Sequence, residues 1–193
     1  SCIILARGGS KGIPKKNIVD FCGKPLIAWT ILQALAGKEV TDVWVSSDSD
    51  EILEVSKRYG AKSIVRPKVI SGDADSSESA WLHAIDFVEK QSNCAIDYVL
   101  APQVTSPLRH TSDFDEAIVQ MKTNRSDSLL SVAETEDFFI WKQDSSAHPQ
   151  SVNYDYKKRK PRQQIEKTYL ENGSFYLFTP KVIRENGNRL GGH

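Results

Sequence analysis

The stretch Cys2-Ile3-Ile4-Leu5-Ala6-Arg7-Gly8-Gly9-Ser10-Lys11-Gly12-Ile13-Pro14-Lys15-Lys16-Asn17 decides how the rest of the chain is read. Ile3 to Ala6 is a short apolar run that reads as a buried strand. It feeds directly into a loop that is both glycine-rich and basic. Gly8, Gly9 and Gly12 let the backbone turn sharply and present N–H groups to an anion. Arg7, Lys11, Lys15 and Lys16 add positive charge that suits a polyphosphate. Neither GxxxxGK(S/T) nor GxGxxG can be placed on these residues, so the loop is a polyphosphate site of another class. The plainer alternative is a solvated basic turn.

Working outward, short apolar runs alternate with amphipathic stretches. Leu26 to Leu35 has helical spacing, and Val43 to Ser46 reads as a second strand. Ser47-Asp48-Ser49-Asp50 follows it, where an aspartate can cap the next helix, which carries Ile52, Leu53, Val55 and Ser56 and stops at Tyr59-Gly60. Ser63 to Val65, Tyr98 to Ala101 and Ser128 to Val132 read as strands. Ser79 to Lys90 and Ser112 to Lys122 read as helices. Such alternation predicts an α/β fold: a Rossmann-like, mostly parallel sheet with helices on both faces. The segments that follow strands, Arg7 to Asn17, Ser46 to Asp50 and Gln103 to Arg109, are expected to converge on one cleft. Residues 134–168 are polar and weakly periodic, and Tyr169 to Phe178 looks like strand again. We read 1–193 as a single domain in which 134–180 is an arm outside the doubly wound sheet.

Composition limits the function classes. The 193 residues carry 25 Lys plus Arg and 25 Asp plus Glu, so the basic excess of a nucleic-acid binder is missing. No apolar run reaches the roughly 18 residues of a membrane span. Three scattered cysteines without a CxxC pair suit a reducing compartment, and the start shows no signal-peptide pattern. The expected location is therefore the cytoplasm. The run Lys157-Lys158-Arg159-Lys160-Pro161-Arg162 also reads as a nuclear-localisation-like stretch, which keeps the nucleus as the alternative for an animal cell. His83, His110, His148 and His193 are far apart and read as non-catalytic.

Four ordered segments resemble one family. ARGGSKGIPKKNI followed by GKPLI is similar to the phosphate loop of the CMP-sialic acid synthetases, the acylneuraminate cytidylyltransferases. Val65-Arg66-Pro67 with Asp73 and Ser76-Ser77 resembles the nucleotide-contacting segment of that family. Gln103-Val104-Thr105-Ser106-Pro107-Leu108-Arg109 resembles its QPTSPLR element, and Tyr169-Leu170-Glu171-Asn172-Gly173-Ser174-Phe175-Tyr176 its ENGSFY element. The CMP-Kdo synthetases fit less well at the phosphate loop.

The resemblance implies a nucleotide-diphospho-sugar transferase type of fold and a reaction in which a nine-carbon α-keto acid sugar attacks the α-phosphate of CTP. It implies that Arg7 and Lys16 hold the triphosphate as catalytic residues. Gly9, Ser10, Lys11, Asn17, Arg66 and Ser77 are the implied CTP-binding residues. Gln103, Thr105, Ser106, Arg162, Gln163 and Asn172 are the implied acceptor-binding residues, with a guanidinium suited to bidentate binding of a carboxylate. Mg²⁺ is the implied cofactor. The metal-binding aspartates of the family are expected beyond His193, so the metal ligands stay unassigned and the chain reads as truncated at its C-terminus. The arm resembles the dimerisation element of the family, which implies a homodimer, with CTP and an acidic keto-sugar as the other partners and no nucleic acid or membrane. Two alternatives stay open: an enzyme acting on a legionaminate, pseudaminate or Kdo-type sugar, and a catalytically silent CTP-binding fragment.

Overall fold

Short apolar runs flanked by polar turns become the parallel strands of one sheet. They are β1 (Cys2–Leu5), β4 (Val43–Ser47), β5 (Lys62–Val65) and β6 (Val99–Pro102), with a small antiparallel pair, β2 (Asp20–Phe21) and β3 (Lys24–Pro25), between the first two. In this computed structural model the described residues are 1–193 except Lys11, Asp73, Ala74 and 136–138, with Arg162 described by its backbone alone. Helices α1 (Leu26–Leu35), α2 (Asp50–Arg58), α3 (Ser77–Ser92) and α4 (Thr111–Asn124) connect the strands. The chain continues through β7 (Ser128–Thr135), β8 (Trp141–Gln143), β9 (Pro149–Ser151) and β10 (Thr168–Phe178), then closes on α5 (Pro180–Asn186).

The six-stranded sheet runs β5–β4–β1–β6–β10–β7. β1 pairs in parallel with β4 on one side, Ile3 opposite Trp44, and with β6 on the other. The chain thus builds outward from β1 to β5, then returns to the far side of β1, and the carboxyl ends of β1 and β6 open a crevice at this reversal. The mostly parallel α/β fold read from the sequence is the one observed.

Strand alternation sorts the core into two layers. Ile4, Val45, Leu100 and Leu177 face one cluster with Ile27 and Ile31 of α1 and Phe114 and Met121 of α4. Ile3, Trp44, Val99, Ala101, Tyr176 and Phe178 face the other, with Ile85 and Val88 of α3 and Ile183 of α5. Both faces are covered, so the strands read as unbroken apolar runs.

Chain contacts separate Ser1–Ser131 with Gly173–His193 from a second unit, Val132–Asn172. Of the expected arm, 134–180, residues 134–172 fall in the second unit and 173–180 in the first. Phe175 to Phe178 pair antiparallel with β6, Phe175 opposite Pro102, and belong to the main sheet. Their continuous apolar character follows from burial on both faces, whereas the polar first half of β10 disguises where the sheet resumes. In the second unit, β8 and β9 form an antiparallel hairpin, Trp141 opposite Ser151. Phe139 and Trp141 lie 4.3 and 6.0 Å from Tyr154, and Trp141 lies 5.3 Å from Tyr156, ring centre to ring centre. The Arg159 guanidinium covers Phe139 at 4.4 Å.

Candidate active site

A cleft of about 350 Å³ opens at the carboxyl ends of β1 and β6, entirely within the first unit. Among its lining residues are Arg7, Ser10, Lys16, Asn17, Arg66 and Ser77. Gln103 and Thr105 line it too. Two of the three strand-end segments expected to converge, Arg7 to Asn17 and Gln103 to Arg109, supply lining residues here; the third, Ser46 to Asp50, supplies none, and the connection after β5, from Arg66 to Ser77, takes its place.

The glycine-rich loop is held from two sides. Gly8 N–H donates to Asp48 Oδ1 at 2.9 Å, and Asn17 Nδ2 donates to the Arg7 carbonyl at 2.9 Å. Asn17 is buried, so its amide supports the loop from inside while its edge reaches the cleft. Gly8 is needed for close approach, because a Cβ there would stand 3.0 Å from Ser49 Cβ. The two adjacent lysines diverge. Lys15 takes a left-handed backbone at φ 52° and its ammonium pairs with Glu51 at 2.7 Å, whereas Lys16 starts a short 3₁₀ turn and faces the cleft. Gly9 is exposed and outside the lining, and Lys11 lies outside the described residues.

Arg66 forms the opposite wall at the end of β5. It is only 5% exposed, its N–H donates to Ser47 O at 2.8 Å, and its Nε donates to Ser71 Oγ at 3.1 Å. Burial weakens the hold of Arg66 on its proton, the nearby Asp48 carboxylate opposes this, and the Arg7 charge adds to it. Ser76, not Ser77, caps α3, its Oγ accepting from Ser79 N at 3.3 Å. Ser77 is therefore spared the capping role that a serine-rich start suggests, and it lines the cleft.

The β6–α4 connection forms the third wall. Gln103 N–H donates to Ser174 O at 2.9 Å, and Ser106 Oγ donates to Gly173 O at 3.3 Å, which turns Ser106 toward β10 and away from the lining. Arg109 ties this loop together. Its Nε donates to Ser174 Oγ at 3.0 Å, and its Nη2 donates to the carbonyls of Gln103 at 2.7 Å, Ser174 at 3.2 Å and Ser106. Burial pulls the Arg109 guanidinium down to about 10.

Arg189 is a lining residue that no motif singles out, because it stands in a polar tail with no periodic signal. Its guanidinium lies 4.1 Å from the Tyr176 ring and 5.1 Å from the Trp81 ring, and its Nη1 donates to Glu78 Oε1 at 2.6 Å. Asp48 is outside the lining but touches it: the sequence suggests a helix cap, whereas the structure puts its carboxylate on the Gly8 N–H of the loop. Gln163 and Asn172 are exposed in the second unit, where Arg162 opens a 3₁₀ turn, Arg162–Gln164. The Arg162 side chain and Asp73 lie outside what is described.

The arrangement suits a nucleoside polyphosphate: a basic, backbone-rich loop on one wall, a buried guanidinium and hydroxyls on the other, and amide and hydroxyl groups beyond. Comparison with known proteins agrees. The sequence model of the family described as cytidylyltransferase matches residues 1–183. A pseudaminic acid cytidylyltransferase of Campylobacter jejuni serotype O:23/36 is 40% identical over 191 residues, covering 95% of this chain and 80% of that protein. N-acylneuraminate cytidylyltransferase B of Danio rerio is 37% identical over 195 residues, covering 99% of this chain but 44% of that protein. Among solved structures, CMP:2-keto-3-deoxy-manno-octonic acid synthetase complexed with CTP superposes with a TM-score of 0.72 at 18% identity, covering 99% of this chain and 78% of that one, a likeness of fold.

Proposed function

The chain belongs to the cytidylyltransferase family, and from that premise we propose that it activates an acidic nine-carbon α-keto sugar of the sialic-acid type with CTP, releasing pyrophosphate. The anomeric hydroxyl oxygen of the sugar forms a bond to the α-phosphorus. The bond from that phosphorus to the β-bridging oxygen breaks, pyrophosphate carries away the electron pair, and the hydroxyl proton passes to solvent. The observation that carries this reading is the convergence of Arg7, Lys16, Arg66 and Gln103 on one cleft. Such chemistry asks the protein chiefly to position and to neutralise charge.

In this reading Arg7 and Lys16 hold the triphosphate, with Ser10 beside them in the lining; Gly9 and Lys11 are CTP-binding residues on the family resemblance. Asn17, Arg66 and Ser77 contact the cytidine. Gln103 and Thr105 face the sugar side of the cleft, and Ser106, bonded to Gly173 O, braces their loop; Arg162, Gln163 and Asn172 are acceptor-binding residues on the family resemblance. Mg²⁺ is proposed to accompany the triphosphate as its counter-ion, and no step above runs through it. Among the described residues no group of three or more His, Cys, Asp or Glu side chains is placed to hold a metal.

The exposed aromatic side chains of the second unit support a homodimer: Trp141 is 44% and Tyr156 53% exposed. No helix among the described residues is long and apolar enough to cross a membrane, and the cytoplasm is the proposed location. A pseudaminate-type acceptor is the second reading, favoured by the 40% identity to the Campylobacter enzyme. The test is pyrophosphate release from MgCTP against a panel of nine-carbon and eight-carbon keto-acid sugars. Turnover with a sialic-acid type sugar supports the first reading, and turnover with pseudaminate alone replaces it. CTP binding without turnover of any sugar leaves a CTP-binding fragment.

A further inference from the structure

Asp48 occupies the junction between the two nucleotide-facing walls of the cleft. Strand β4 delivers Ser46 and Ser47 to both neighbours: Ser46 O accepts from Ala6 N at 3.0 Å, and Ser47 O accepts from Arg66 N at 2.8 Å. The next residue does the same with its side chain. Asp48 Oδ1 accepts the Gly8 N–H at 2.9 Å and stands 3.8 Å from Arg66 Nη2. The turn that carries it is held by Ser49 N–H donating to Ser47 Oγ at 3.1 Å, and Gly8 packs closely against Ser49, where a Cβ would stand 3.0 Å from Ser49 Cβ. The carboxylate takes no part in capping α2, whose N-cap is Ser49.

We propose that Asp48 is a positioning residue for nucleotide binding, one carboxylate oxygen that fixes the phosphate loop through Gly8 and holds Arg66 on the opposite wall. The inference rests on the reading of the cleft as a CTP site. Arg66 and Arg7 are like charges facing one space, and burial already disfavours the Arg66 charge. A carboxylate between loop and guanidinium offsets both effects and sets the spacing of base-side and phosphate-side contacts before CTP arrives, which reduces the ordering cost of binding.

The sign of the mutant effect separates this role from that of a bystander. A carboxylate beside a polyphosphate site repels the ligand. Neutralising an idle one therefore tightens CTP binding, whereas removing a positioning one loosens it. The experiment is calorimetric titration of the whole chain with CTP and with inorganic tripolyphosphate, for wild type, D48A and D48N, with circular dichroism confirming the fold. D48A loses both contacts and is expected to bind both probes at least about tenfold more weakly, the size of a lost charge-assisted hydrogen bond. D48N keeps an amide oxygen in the Oδ1 position, for Gly8 N–H and toward the guanidinium, but removes the negative charge that offsets the burial of Arg66. It is expected to hold tripolyphosphate to within about threefold and to lose CTP by about tenfold. Equal or tighter CTP binding by both variants overturns the proposal while leaving the CTP reading intact. If D48A does not fold, the isosteric D48N decides by the same criterion. A wild-type chain that binds neither probe removes the CTP reading and this inference with it.

Discussion

Lys15 and Lys16 are neighbours in sequence and different in task. A left-handed backbone at Lys15 swings its ammonium to Glu51, an exposed pair that contributes little to stability. Lys16 is left facing the cleft with Arg7. No periodicity distinguishes the two, because the choice rests on one backbone torsion and one acceptor on α2. Lys16→Ala is expected to lower kcat/KM for CTP at least about tenfold, since a phosphate-paired charge is worth more than about 1.4 kcal/mol. Lys15→Ala is expected to leave it within about twofold. Steady-state kinetics at saturating acceptor reads both, and an unchanged Lys16→Ala enzyme removes Lys16 from the site.

At the scale of elements, the loop from β6 to α4 owes its shape to a single side chain. Arg109 gathers carbonyls from Gln103, Ser106 and Ser174, and its guanidinium lies 5.4 Å from the Phe114 ring. Lysine cannot reproduce this fork. Arg109→Lys is expected to destabilise the fold by about 1–3 kcal/mol in urea unfolding, through polar groups left without partners. Strand β1 gives a second element-scale prediction. Cys2 is fully buried, and burial pushes its thiol up from 9.0 to about 12. Cys22 and Cys94 are exposed. An aromatic disulfide reagent at pH 8 is expected to titrate two thiols in the native chain and the third only on unfolding. Because the folded state keeps this proton longer than the unfolded one, the stability Cys2 confers is complete below its ordinary range near 9 and is lost as the pH rises toward 12. Cys2→Ala is expected to flatten that alkaline loss. Elements such as β1, α1 and β4 are legible because apolar runs and caps mark them locally. The hairpin β8–β9 and helix α5 are not, because Trp141-Lys142-Gln143 and Lys181-Val182-Ile183-Arg184 are too short to show a period. The site is legible to the same degree. Loop and strand-end motifs announce Arg7, Lys16, Arg66 and Gln103, whereas Asp48 and Arg189 join it only through tertiary packing.

For the whole molecule, the question is what the second unit contributes. All the cleft-lining residues lie in the first unit, including every group that we assign to the triphosphate and cytidine and that the structure places on the cleft wall. On that assignment CTP binding is expected to depend on Ser1–Ser131 and Gly173–His193. The second unit instead exposes Trp141 and Tyr156, whose rings lie 5.3 Å apart, and separately Tyr169 at 60% and Leu170 at 47% exposure. Apolar side chains exposed in this way lower the free energy of the chain when a partner covers them. A second copy of a 21.6 kDa chain is the occupant that the homodimer proposal requires. Sedimentation equilibrium at micromolar concentration is expected to return twice the chain mass. The double variant Trp141→Glu with Tyr156→Glu is expected to shift the chain toward monomer, since two buried carboxylates cost far more in an interface than in water. Calorimetric CTP affinity is expected to stay within about twofold of wild type, because none of the nucleotide contacts changes. Sugar turnover is expected to fall with the dimer if Arg162 and Gln163 serve the acceptor. A wild-type chain that sediments as a monomer ends the dimer proposal, and a monomeric double variant with undiminished turnover moves acceptor recognition out of the second unit.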